Sequence, residues 1–320
     1  MNKKYLQLVV LAALVAVGAV LYTQQQALID WWKLRGYAAP AAVAQLATDA
    51  TMTNQARHLL YVNHPQITGG STFTSQCPVG GEKTVVLGCY LTNDHGIFIY
   101  DVTDIRLDGV EQVTAAHEML HAAYDRLSKK ERSDVDALLM DYYQTGLTDQ
   151  RIKDTIEAYK KSEPNDVVNE MHSIFGTEVA ELPQALEDYY TQYFTDRHVV
   201  TDRTAKYQNE FTSRQKQVAD YDAQLAALKT QIDDDERQLT AQKAALEAQS
   251  AQLNAQRTAG NIDQYNAAVA SYNRAVNTYN TLLAAAKKRI AQYNTIVDQR
   301  NAVVLEEQQL TRAISANSLQ

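Results

Sequence analysis

From about residue 199 to the end, the hydrophobic positions recur every seven residues. Phe211, Val218, Leu225, Ile232, Leu239, Leu246 and Leu253 form one such series, and Ile262, Val269, Val276, Leu283, Ile290, Val297 and Val304 form a second. Tyr265, Tyr272, Tyr279 and Tyr293 each follow a member of the second series by three positions. A strict period of seven puts an apolar seam along a helix and imposes a left-handed supercoil. The run Arg257–Asn261 between the series suits a helix–helix turn. The two seams mirror each other about it, so that Leu253 is expected to face Ile262, Leu246 to face Val269 and Phe211 to meet Val304. Residues 199–320 therefore read as an antiparallel coiled-coil hairpin, with arms of roughly 65–80 Å at about 1.5 Å per residue. Asp235, Gln242 and Gln249 put polar side chains at d-like positions of the first arm, and large Tyr opposite them, or a second hairpin, would complete the packing.

Upstream the pattern changes. Thr84–Leu91 and Ile97–Val102 are rich in β-formers, and Thr92–Gly96 between them has turn composition, so an antiparallel hairpin is expected with His95 at its tip. Helical spacing then dominates. Val110, Val113, His117, Leu120 and Tyr124 mark a helix over Gly109–Leu127. Ser128 and Glu131 match a capping box and start the next helix, whose apolar face is Val135, Leu138, Leu139 and Tyr142 and which Gly146 ends. Further helices are expected from Thr148 to Lys161, from Val167 to Phe175 with a stop at Gly176, and from Gln184 to about Phe194. Before these, Thr53–Val62 reads as a short helix broken at Asn63-His64-Pro65, with His64 a loop residue, and residues 24–50 as an Ala-rich linker or helix around Pro40.

Composition sharpens this picture at three points. The chain has 320 residues and a net charge of -8. No basic block exists beyond Lys3 and Lys4, so nucleic-acid binding has little electrostatic support. Those two lysines precede an apolar run from Leu8 to Tyr22. An uncleaved signal anchor over residues 1–23 is expected, with a cleavable signal peptide as the alternative. Trp31 and Trp32 then suit the outer membrane interface or pack in the linker. Cys77 and Cys89 are the only cysteines; outside the cytoplasm a disulfide between them is expected, worth very roughly 3 kcal/mol in the loop-entropy view.

The chemistry centres on His117-Glu118-Met119-Leu120-His121. Positions i and i+4 share one helix face, so two imidazoles at that spacing can grip one zinc ion while the adjacent Glu holds the attacking water. With 7 His in the chain, a chance H-E-x-x-H match is expected roughly one time in a hundred. A catalytic zinc needs a third protein ligand and one open position. Glu170, in Asn169-Glu170-Met171-His172-Ser173, is the best source, and Glu178 the alternative.

This arrangement resembles the gluzincin metallopeptidases, in which H-E-x-x-H is followed by a helical Glu. The stretch from Asn169-Glu170 to Ser173-Ile174-Phe175-Gly176-Thr177 is similar to the third-ligand helix of thermolysin-type enzymes. The resemblance implies zinc held by His117, His121 and Glu170, with Glu118 as general base. It departs where the family's pattern carries an Asp that supports a ligand His: here that place is deleted or taken by Ile174, and Glu178, just past Gly176, is the alternative source of that support. Tyr189, Tyr190, Tyr193 and His198 lie in the region that supplies oxyanion stabilisers. Two His and one carboxylate also hold iron, in another geometry.

The expected fold class is α+β: a small antiparallel sheet in a helical zincin-like domain over residues 51–198, after an N-terminal transmembrane helix and a linker at 24–50, and before the coiled-coil hairpin. The expected function is a membrane-anchored, extracytoplasmic zinc metallopeptidase acting on peptide or protein substrates. The Ile97–Val102 strand is the expected edge for an extended peptide, and the hairpin a spacer or docking arm for a coiled-coil partner or second copy. The rival expectation is a non-enzymatic envelope scaffold working through its coiled coil.

Overall fold

The computed structural model of the protein describes residues 24–77, 87–92 and 96–315. Among these, no helix is long and apolar enough to cross a membrane. The apolar run expected to span one lies outside the described residues, as does the hairpin tip with His95. The fold is mostly helical with one small sheet, an α+β arrangement. The chain divides into two compact units. The first runs to Asn209 and includes the residues from Thr311 on; the second is Glu210–Leu310.

The stretch 24–50, expected as a linker or helix, forms two helices, α1 (Gln25–Leu34) and α2 (Ala41–Asp49). Val43, Leu46, Ala47 and Ala50 follow helical spacing and lie in the main core. Helix α3 (Asn54–Tyr61) starts at Thr53, whose hydroxyl accepts from the Ala56 N–H at 3.2 Å.

The sheet corrects the expected all-antiparallel arrangement. Its strands are β1 (Gln66–Thr68), β2 (Gly88–Leu91) and β3 (Gly96–Tyr100), in the order β1-β3-β2. β2 pairs antiparallel with β3 as expected, but β1 pairs parallel with β3 on its other side. Three residues, Gln66-Ile67-Thr68, are too few to show alternation. With neighbours on both sides, β3 buries Ile97, Phe98, Ile99 and Tyr100, as a central strand should. It is therefore not the edge expected for a peptide; β2 is an edge. A short helix, α4 (Gly70–Gln76), leads to Cys77, and the Cys77–Cys89 disulfide ties its end to β2. Phe73, Cys77, Phe98 and Tyr100 form a small second core around that bond.

Helix α5 (Val110–Asp125) carries the His-Glu motif and is buried on most of its surface. Helix α6 (Lys129–Asp141) opens with both halves of the Ser128/Glu131 capping box in place. The chain continues through a wide turn, Tyr142–Gly146, into α7 (Gln150–Ser162), α8 (Val167–Glu178) and α9 (Gln184–Tyr190). Gly176 was expected to stop α8 but lies within it. A Cβ there would come within 2.4 Å of Leu120 Cδ1 and 2.9 Å of Tyr190 Cε1. The glycine lets α8 press against α5 rather than ending the helix. Arg197 closes the end of α8: its guanidinium donates to the carbonyls of Val179 at 2.5 Å and Ala180 at 2.8 Å and pairs with Glu187.

Helix α10 spans His198–Thr258 and α11 spans Ile262–Ala313. The start of α10 belongs to the first unit, where Thr204 donates to the Thr177 carbonyl at 2.8 Å and Lys206 pairs with Asp108. The first unit thus extends to Asn209, eleven residues beyond the expected end at 198. In the second unit the arms run antiparallel and are pinned by Asp222–Arg300, Arg214–Glu306 and Asp235–Arg289 ion pairs and by a Gln215–Glu307 hydrogen bond. The expected register would set Asp222 opposite Tyr293 and Gln215 opposite Arg300. Their partners lie seven residues further on, so the hairpin has slid by one heptad. Leu246 comes opposite Val276, and Ile262 is left 57% exposed at the turn. The reason is that α10 stays helical through Thr258, so the chain reverses later, at Gly260 with φ +74°.

Candidate metal centre

Both imidazoles of α5 point to one spot. His117 Nε2 and His121 Nε2 are 3.1 Å apart. Helix α8 brings Glu170 to the same place, with Oε1 3.5 Å from His121 Nε2 and Oε2 3.9 Å from His117 Nε2. The three donor atoms lie within 4.8 Å of one another. The close α5–α8 contact allowed by Gly176, with Ala115, Ala116, Ala122 and Ala123 buried along α5, sets how near Glu170 comes.

Of the two carboxylates weighed as third ligand, the structure brings Glu170 to the imidazoles. Glu178 lies eight positions further along α8, roughly 12 Å at about 1.5 Å per residue. Its carboxylate accepts from Arg151 at 2.6 Å. That carboxylate is engaged by Arg151 and Gln208 rather than by His117 or His121, and Ile174 is a core residue, 1% exposed.

The support comes instead from Asn169, a residue not singled out in the sequence. Its amide nitrogen donates to both Asp166 oxygens, at 3.2 and 3.1 Å. Its Oδ1 is therefore turned towards His121 Nδ1, 3.0 Å away, and accepts from it. With the proton on Nδ1, Nε2 presents a lone pair to the spot it shares with His117 Nε2 and Glu170, as a metal-binding His would. The available signal was an Asn and an Asp one and four residues before Glu170. Neighbouring residues on a helix diverge by about 100°, which made Asn169 look like part of another face.

Glu118 faces β2. It is 6% exposed, and its carboxylate accepts from the Tyr90 backbone N–H. Burial raises its pKa to about 7, opposed by His121 and reinforced by the negative charge of Glu170. A Cβ at Gly88 would lie 2.5 Å from Thr114 Cγ2 and 2.7 Å from Glu118 Oε1. Only glycine lets the strand backbone pass this close to the motif. His117 is held well below its ordinary pKa, by burial first and then by His121 and His172, so it stays neutral and able to ligate.

The other histidines and tyrosines play different parts. His172 is fully buried, donates or accepts at Nε2 with Tyr189 Oη at 2.9 Å, and is pushed down to about 3 chiefly by burial. Tyr190 donates to the His172 carbonyl at 2.7 Å, and Tyr189 and Tyr193 hydrogen-bond each other at 3.3 Å. These three rings, weighed as oxyanion stabilisers, pack around His172. His198 is exposed at the start of α10, and its N–H donates to Asp196. His64 is a loop residue, stacked on Tyr37 at 4.5 Å.

A scan against protein-family models matches none, and searches of curated proteins and of solved structures match none either.

Proposed function

We propose that this chain is a membrane-anchored, extracytoplasmic zinc metallopeptidase of the gluzincin type. The observation that carries the reading is the convergence of His117 Nε2, His121 Nε2 and the Glu170 carboxylate beside the buried Glu118. Two imidazole nitrogens and a carboxylate oxygen are the donor set of a hydrolytic zinc site, and two ligand nitrogens at 3.1 Å suit a shared tetrahedral ion. Zinc held by these three residues supplies a bound water acidic near neutral pH and polarises a carbonyl. The rest falls to the chain. Asn169 fixes the tautomer and tilt of His121. Glu118, with a pKa of about 7, takes a proton from the attacking water and delivers it to the leaving amine. β2 is the sheet edge beside Glu118, and an extended peptide adding to it would lie along the motif helix.

The Cys77–Cys89 disulfide supports an oxidising, extracytoplasmic setting, and the Leu8–Tyr22 run supports an anchor. The hairpin serves as a spacer or docking arm. The test is hydrolysis of an unstructured peptide mixture by the full chain, with zinc, with chelator, and after zinc is restored. Glu118→Gln is expected to lose roughly 10²–10⁴-fold in rate while keeping its zinc. A zinc-loaded wild type that cleaves nothing would leave the scaffold reading, in which the coiled coil is the working part.

A further inference from the structure

Helix α1 turns an unusual face to the outside. Of the eight large hydrophobic side chains exposed among the described residues, four sit on its ten residues: Leu28 at 47%, Ile29 at 40%, Trp31 at 62% and Trp32 at 72%. At about 100° per residue these four cover an arc of roughly 160°. Asp30 lies opposite the centre of that arc, 5% exposed. It accepts two hydrogen bonds from Arg126, at 2.7 and 3.0 Å, and bonds His58 Nε2 at 2.9 Å. Arg126 is the C-cap of α5, the helix that carries His117, Glu118 and His121. One side of α1 is thus fastened to the motif helix, and the other is apolar and exposed among the described residues.

We infer that the outward face of α1 seats in the headgroup layer of a lipid bilayer, and that the Asp30–Arg126 pair clamps this seated helix to the end of the metal-site helix. The chain itself indicates the occupant. The apolar run Leu8–Tyr22 ends three residues before α1 begins, so a segment inserted in a bilayer delivers α1 to its surface. Indole rings favour that layer, where an apolar body and a polar N–H are both satisfied. The Arg35 guanidinium lies 5.5 Å from the Trp31 ring centroid, placing a cation at phosphate depth. The inference rests on the anchoring part of the proposed function and adds a fixed height and tilt for the metal site above the membrane.

The chain has two tryptophans, Trp31 and Trp32, so its indole fluorescence reports on this face alone. The full chain is reconstituted in vesicles of phosphatidylcholine and phosphatidylglycerol carrying bromine either high on the acyl chain or near the bilayer centre. The expected result is blue-shifted emission, at least about twofold quenched by shallow bromine and much less by deep bromine. Trp31→Phe and Trp32→Phe should each leave a quenched ring. Asp30→Asn should leave the quenching depth unchanged but speed amide exchange in α1 by about tenfold or more; unchanged exchange would remove the clamp. Unquenched, water-like emission from a chain that floats with the vesicles overturns the inference and leaves the anchor intact. A chain that does not float with them overturns both. Blue-shifted but unquenched emission that grows with protein concentration overturns the inference by assigning the face to a second copy.

Discussion

In the first unit the decisive contacts join residues far apart in the chain: His121 meets Asn169 across 48 positions, and Gly176 makes room for Leu120. In the hairpin the decisive residues repeat every seven, and each rung resembles the next. The first unit uses unlike residues once each, so its packing has one solution. The hairpin uses like residues many times, so a slide by one heptad restores the same apolar seam. The turn at Gly260 and polar pairs such as Asp222–Arg300, Arg214–Glu306, Asp235–Arg289 and Gln215–Glu307 distinguish one register from another. Specificity in the hairpin therefore lies in its few polar pairs, and in the first unit in its dense, irregular core.

The largest effect expected from this contrast is a pH dependence confined to the first unit. Burial raises the Glu118 pKa from 4.5 to about 7. A raised carboxyl favours the folded state below its unfolded pKa, and that contribution is lost as pH rises through about 7. At about 1.4 kcal/mol per unit the loss approaches about 3 kcal/mol. Denaturant unfolding of the metal-free chain should show Glu118→Gln gaining on wild type between about pH 5 and about pH 8; a constant difference would mean Glu118 is not so buried.

Next is Asn169→Ala, which should weaken zinc binding by about 10–100-fold in chelator competition. An unchanged affinity would show that His121 holds its orientation without help. Two glycines then compare the units directly. Gly176→Ala drives a methyl into Leu120 and Tyr190 and should cost about 1–3 kcal/mol in unfolding experiments. Gly260→Ala meets nothing within 4 Å and should cost only the left-handed backbone penalty of about 1–2 kcal/mol. A Gly176→Ala chain as stable as wild type or more so, the outcome helix propensity alone would give, would argue against the close α5–α8 contact. The smallest perturbation tests the register: oxidation should cross-link Leu239→Cys with Leu283→Cys, and not with Val276→Cys, which the unshifted register would place opposite.

Much of this was legible in the sequence, for reasons that also explain the failures. The i, i+4 spacing of His117 and His121 fixes their shared face by helix geometry alone. Glu170 was reachable through its helix and its resemblance to a third-ligand segment. The capping box at Ser128 is local, and it formed. What escaped depended on distant neighbours. Gly176 carries the same signal whether it ends a helix or admits a neighbour, and only Leu120 opposite decides. β1 is too short to show a period, and its parallel partner lies about 30 residues on. The hairpin's register escaped because a perfect repeat is degenerate in steps of seven.

The central claim is that α5 and α8 assemble one zinc site from His117, His121 and Glu170. Zinc content of the full chain, measured in wild type, Glu170→Ala and Glu178→Ala after equilibration with excess zinc and removal of the free ion, tests it most directly. The account predicts about one zinc per chain in wild type and Glu178→Ala, and almost none in Glu170→Ala. Undiminished zinc in Glu170→Ala, or none in wild type, would contradict it.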